Sequence, residues 1–275
     1  FIFRPVLLMG AVVAWFLARD GLSPSEAMLL NVAASSVAVV WSYIWLSRKR
    51  PAELAATIAA SQPRQWLAAA LPMLLISGMH VLLRRVDVIM LGAIAGPTDA
   101  GFYNAATRIA DLVTIGLVAV NSIAAPLISE LYSSGEQAKL QRMIRFATRG
   151  ILLLTASAGI ALVVLGKFVL GLFGASFVVA FIPLMILVGG QVVNATAGPT
   201  GFIMTMTGRH NHAAVVLFIT LIANVVLNAL LIPEFGMNGA AVATAASTAF
   251  WNSVLIVYIW RKLRLNPLPF GPVPA

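Results

Sequence analysis

Residues 66–132 read WLAAALPMLLISGMHVLLRRVDVIMLGAIAGPTDAGFYNAATRIADLVTIGLVAVNSIAAPLISELY, two apolar runs joined at Gly96-Pro97-Thr98. Each is long enough to cross the roughly 30 Å hydrocarbon core of a bilayer as a helix. Three arginines and two aspartates lie well inside them: Arg84, Arg85, Asp87, Arg108 and Asp111. A charge at mid-bilayer costs about 2.5–3.5 kcal/mol on insertion scales, so such residues face a bundle interior or a wet cavity. The stretch therefore predicts two long membrane helices, about 65–95 and 99–131, built around a charged cluster.

The flanking sequence supports an all-α polytopic membrane protein. Of 275 residues, 60% are hydrophobic and only 10% charged, with mean hydropathy +0.95. A soluble domain carries about 25% charged residues. Further helices are predicted at about 3–19, 25–46, 144–166, 178–206, 211–232 and 240–260, making eight crossings. Gly and Pro mark the turns between them, and Pro72, Pro126, Pro183 and Pro199 mark kink points. The loop SSGEQAKLQRMIR (133–145) reads as an amphipathic helix lying at the interface. Open sheets are excluded, because their edges cannot satisfy backbone polar groups in lipid.

The net charge of +9 would suggest nucleic acid in a soluble protein, but topology explains it better here. With eight crossings, thirteen basic residues fall on one side and only Arg19 and Lys167 on the other. The positive-inside rule then places both ends and the polar linker 48–64 in the cytoplasm. The chain lacks an initiator Met and starts within an apolar run, so it reads as a piece of a longer protein. The implied organisation is two helices of an incomplete N-terminal lobe (1–47), a linker (48–64), a six-helix lobe (65–261) and a cytoplasmic tail (262–275).

On a helix, residues three and four apart share a face. Ser77, His80, Arg84 and Asp87 form one polar stripe; Asn104, Arg108, Asp111 and Ser122 form another. At 1.5 Å per residue, Asp87 comes level with Arg108 and Arg84 with Asp111, so two cross-helix ion pairs are expected. Arg85 is left without an acid, rotated about 100° from Arg84. A deep arginine without a partner suggests an anionic ligand, which its planar fork suits. The competing reading is structural, with the pairs pinning a hairpin and Arg85 snorkelling to the headgroups. Candidate substrate-binding residues are thus Arg85, Arg84, Arg108, Asp87, Asp111, Asn104 and His80.

Other chemistry finds little support. No nucleotide-binding P-loop occurs. No Ser-His-Asp set can be assembled, so the chain reads as no enzyme. With no cysteine and no acid near His210 and His212, neither a metal site nor a cofactor is expected. The small residues of 239–247, GAAVATAAS, make a close-packing helix face.

The runs RVDVIMLG from Arg85, GFYNAATRI from Gly101 and PLISELY from Pro126 resemble lipid-linked oligosaccharide flippases of the Wzx type. Gly198-Pro199, Thr207-Gly208-Arg209 and LIPEFGMNGAAVATAAS from Leu230 agree, in matching order over about 65–260. These flippases share a superfamily with the multidrug and toxic-compound extruders. The resemblance implies twelve or more helices in two six-helix lobes, with about four helices outside this chain. It implies a central cationic cavity that receives an undecaprenyl-diphosphate-linked oligosaccharide, at the bacterial inner membrane. It also points to a polysaccharide polymerase and chain-length machinery as companions, and to no nucleic acid. The alternative is a drug or cation antiporter of the extruder branch, whose cavity would favour acids. A membrane polymerase would need a large outer loop with polar catalytic groups, and every predicted outer loop is short.

Overall fold

The computed structural model describes residues 3–19, 23–48, 74 and 78–271, in two units, 1–65 and 66–275. Among the described residues the regular structure is helical throughout, with no strand. The predicted linker after Arg48, Pro72, Ser77 and nearly all of the third predicted helix before residue 78 lie outside the described residues.

The first unit contains α1 (Phe3–Arg19) and α2 (Pro24–Arg48). The start of α2 is written in Ser23-Pro24-Ser25-Glu26. Glu26 N donates to Ser23 Oγ (3.3 Å) and Ser23 N donates to Glu26 Oε2 (2.9 Å). This reciprocal capping box, with Pro at the first helical position, satisfies otherwise orphaned N–H groups.

The second unit begins with a helical stretch, 78–83, followed by a turn at Arg84–Arg85. Then come α3 (Val86–Ile94), α4 (Pro97–Leu112), α5 (Ile115–Ser133) and α6 (Gln137–Gly171). A 3-10 turn (Ala175–Ala180) leads into α7 (Phe181–Ala197), α8 (Thr200–Met206) and α9 (His210–Leu263). Continuity along α9 is only nominal, because Gly236 has φ 52° and ψ −129°. A Cβ on Gly239 would strike the carbonyl of Leu231, Asn224 Nδ2 bonds Ser247 Oγ (3.2 Å), and His212 packs on Tyr258. All three pairs centre near residue 235, so α9 is a hairpin with arms 210–235 and 237–263. A left-handed residue without a Cβ permits the reversal, where the sequence predicted a turn.

Among the described residues, five helical segments are long and apolar enough to cross a membrane: 25–48, 115–133, 137–171, 175–197 and 210–263. Beyond the turn at Arg84–Arg85 and the split between α7 and α8, breaks and joins differ from expectation along α4 to α6. The helix expected over 99–131 is interrupted at Val113–Thr114, where Thr114 N and Oγ1 both donate to Asp111 O (3.0 and 2.7 Å). That side-chain bond competes with the helical ladder. Pro126 lies inside unbroken α5. The expected interfacial helix is instead the start of the 35-residue α6. Leu140, Gln141, Ile144, Ala147, Thr148, Ile151 and Thr155 form a continuous buried stripe along it. One buried face at helical spacing runs through the predicted loop into the apolar part of the helix, so the two form one element.

Two cores hold the bundle. One joins Leu91, Tyr103, Ile109, Leu184, Ile232 and Ala240. The other joins Ile128, Ile144, Met204, Leu255, Ile259 and Leu263. Small residues bring α7 and α9 close: a Cβ on Gly190 would sit 3.0 Å from that of Ala245, and Ala240, Ala241 and Ala243 are fully buried. The 239–247 run thus packs as expected.

The chain after α9 does not hang free. Residues 264–271 run back along α6, against the reading of a plain tail. Gln141 Nε2 donates to Asn266 O (2.8 Å) and Gln141 Oε1 accepts from Asn266 N (2.7 Å). Thr148 Oγ1 donates to Pro267 O (2.9 Å), Arg149 Nε to Pro269 O (3.0 Å) and Arg145 Nη2 to Gly271 O (3.2 Å). A proline-rich strand lacks donors, so polar α6 side chains supply them.

Candidate functional site

Between the two cores the packing opens into a cavity of about 420 Å³, within the roughly 300–1,000 Å³ of small-molecule sites. Its lining includes His80, Arg84, Arg85, Asp87, Thr107, Arg108, Asp111, Gln191, Asn194, Asn224, Thr244, Ser247, Thr248 and Trp251. On the second arm of α9, Ala240 and Ala241 belong to one core, residues 244–251 line the cavity, and Leu255 and Ile259 belong to the other core. At 1.5 Å per residue those lining residues lie about 12–22 Å along an arm of about 40 Å. The cavity is at mid-depth of the bundle.

Six of the seven residues singled out from sequence meet there: Arg85, Arg84, Arg108, Asp87, Asp111 and His80. Asn104 does not line the cavity; its carbonyl accepts from Thr107 Oγ1 (2.8 Å). Ser122 also lies off the cavity, back-bonded to Ala119 O (2.8 Å).

The expected ion pairs do not form: neither Asp87 with Arg108 nor Arg84 with Asp111 is bridged. The depth argument assumed an unbroken helix. Instead Arg85 N bonds Leu82 O (2.9 Å), three residues back, with Arg85 at φ −128° and ψ −19°. That turn re-aims everything after it, and Asp87 leaves the face it would share with Arg84. Asp87 is 3% exposed. Oδ2 accepts from Tyr103 Oη (2.9 Å) and Thr244 Oγ1 (3.0 Å), and Oδ1 from Val88 N (2.9 Å). Two hydroxyls and an amide satisfy a buried carboxylate. Asp87 therefore ties α3 to α4 and α9.

The arginines are different. Arg84, Arg85 and Arg108 are exposed to the cavity, and no acid among the described residues pairs with them. His80 sits edge-on to Trp251, ring centroids 6.4 Å apart. The cavity has two chemically distinct walls. Every charged lining residue comes from 84–111, and α7 and α9 contribute only neutral polar or apolar groups. Sequence reasoning missed this second wall, although Thr244, Ser247, Thr248 and Trp251 recur at helical spacing.

Residues 5–132, just under half of the chain, match the family model described as "Polysaccharide biosynthesis protein". Two curated proteins of Haloferax volcanii are similar. "Probable low-salt glycan biosynthesis flippase Agl15" is 30% identical over 171 residues, 62% of this chain and 36% of that protein. "Probable flippase AglR" is 30% identical over 179 residues, 62% of this chain and 37% of that protein. The chain thus spans little more than a third of the relatives it matches. No solved structure matches it. The arginine-walled cavity thus sits in a chain similar to a polysaccharide-biosynthesis family over residues 5–132 and to two proteins named as probable flippases.

Proposed function

We propose that the cavity receives the diphosphate-linked sugar head of a lipid-linked oligosaccharide, and that the full-length protein carries this head across the membrane by alternating access. Undecaprenyl diphosphate is the proposed carrier, the inner membrane the proposed location, and polysaccharide assembly the process served. Both ends of the chain are proposed to be cytoplasmic, and the two units to belong to an incomplete N-terminal lobe and a six-helix C-terminal lobe. A polymerase and chain-length machinery would act on the delivered product. The observation that carries the reading is the trio Arg84, Arg85 and Arg108, open to a mid-depth cavity and unpaired with any described acid. Planar guanidinium forks match diphosphate oxygens bidentately, and low dielectric strengthens the contact. No bond is made or broken: the charge stabilises the diphosphate while the polyprenyl tail stays in lipid.

A cation extruder would present acids to its cargo. Here Asp87 is already held by Tyr103 and Thr244, and three arginines face the cavity against the single remaining lining acid, Asp111, which favours the anionic cargo. The test is translocation by the full-length protein in vesicles, normalised to folded protein. Arg85→Ala should abolish translocation without lowering the amount folded, and Arg85→Lys should restore part of it. Normal translocation by Arg85→Ala protein would defeat the reading.

A further inference from the structure

The neutral wall of the cavity carries a directional hydrogen-bond relay that no ion or charge explains. Thr200 Oγ1 donates to Asn252 Oδ1 (3.1 Å). Asn252 Nδ2 donates both to Thr248 O (3.0 Å) and to Asn194 Oδ1 (2.8 Å). Asn194 Nδ2 then donates to Gln191 Oε1 (3.3 Å). Amide orientation is often ambiguous, but one anchor decides all three here. A backbone carbonyl only accepts, so Thr248 O fixes which end of Asn252 is its nitrogen. Asn194 must then present its oxygen to Asn252 and its nitrogen to Gln191. Gln191 is forced to turn its NH₂ away from the relay.

That NH₂ has no acceptor among the described residues, and Gln191 lines the cavity beside Asn194 and Trp251. Each bond in such a chain polarises the next, so the terminal donor is both oriented and strengthened. The relay ties α7, α8 and α9 together and satisfies buried Thr200 and Asn252, but packing does not account for the donor left at its cavity end. Arg84, Arg85 and Arg108 lie on the other wall, contributed by other elements.

We propose that Gln191 is a sugar-reading residue: its NH₂ donates to an oxygen of the first sugar, while the arginines hold the diphosphate. This rests on the proposed cargo and assigns its two halves to two walls. Trp251 offers an apolar, partly aromatic surface to the same sugar, and Asn252 is a positioning residue that acts through Asn194. The division makes recognition of carrier and recognition of glycan separable, which a single charged pocket would not allow.

The test compares three probes on the full-length protein in nanodiscs: undecaprenyl diphosphate, and the same carrier bearing N-acetylglucosamine or galactose. Wild type should hold at least one glycosylated probe more tightly than the bare carrier. In Gln191→Met that advantage should fall about three- to tenfold, the worth of one hydrogen bond, with bare-carrier affinity unchanged. Gln191→Glu keeps the acceptor that Asn194 needs, so its fold is protected. Its added charge should weaken all probes by a common factor and the sugar advantage further still. An unchanged ratio between glycosylated and bare probes in both variants overturns the assignment while leaving the arginine reading standing. Failure of every probe to bind wild type overturns both.

Discussion

Asp87 can be held by Arg108 or by Tyr103 and Thr244, and the two arrangements make opposite predictions for two substitutions. Tyr103 is fully buried and donates to Asp87 Oδ2 at 2.9 Å. Tyr103→Phe removes that donor and leaves the ring packing intact. A hydrogen bond to a charged group contributes about 1.5–3 kcal/mol. For a unit of about 210 residues, each kcal/mol moves the melting temperature by roughly 2–4 °C. A fall of about 3–12 °C follows. Arg108 is exposed to the cavity and unpaired, so Arg108→Ala should stay within about 0.5 kcal/mol of wild type, or about 1–2 °C. Were Arg108 the partner, its loss would strand a buried carboxylate at about 3–5 kcal/mol, and Tyr103→Phe would be mild. Heating the detergent-solubilised full-length protein and following the monodisperse peak gives both midpoints. Thr244→Val added to Tyr103→Phe should cost more or less than the sum, because both hydroxyls share one oxygen. A larger loss from Arg108→Ala than from Tyr103→Phe refutes the arrangement.

Gln141→Leu should strip both bonds from the Asn266 backbone, at about 1–3 kcal/mol for each buried group left unpaired. Chymotrypsin should then cut at Leu265, 2% exposed in the native chain, which it spares in wild type. Gly198 has φ 67° and ψ −151°, and Thr148 occupies the place of a Cβ. Gly198→Ala should therefore cost well over the roughly 1–2 kcal/mol of left-handed strain expected at Gly208, where φ is +76° with open space around it; paired melting curves check the order. For topology, Lys139 and Lys167 stand about 42 Å apart along α6, both exposed. An impermeant thiol reagent applied outside cells should label Lys167→Cys and miss Lys139→Cys; the reverse pattern inverts the proposed orientation.

Much of the fold is legible because lipid leaves few options. Apolar runs with glycine and proline between them give helices and turns, and the reversal at Gly236 lies inside the run PEFGMNG, Pro233–Gly239. The cavity residues are legible for the same reason: an arginine at mid-span needs a polar place to sit. What fails is geometry without a local signature. The turn at Arg84–Arg85 carries neither Gly nor Pro, so equal depth along two ideal helices points Asp87 at the wrong partner. Tyr103 reads as one aromatic among many, and Thr244 as one of a small-residue stripe. The docking of 264–271 depends on Gln141, Thr148, Arg145 and Arg149, 119 to 126 residues away in sequence. A proline-rich end gives no sign of such a partner. The relay ending at Gln191 had a signal, since Gln191 and Asn194 are three apart within an apolar helix.

The central claim is that the diphosphate head enters the cavity, and photocrosslinking tests it most directly. A benzophenone amino acid replaces Val118, which lines the cavity, or Leu153, which is 72% exposed and does not line it. The full-length protein in vesicles is irradiated with undecaprenyl diphosphate carrying N-acetylglucosamine labelled in the sugar. Capture at 118, competed by unlabelled carrier and lost in Arg84→Ala/Arg85→Ala protein, is the predicted result. Equal capture at 153, or capture at 118 that survives loss of both arginines, would contradict it.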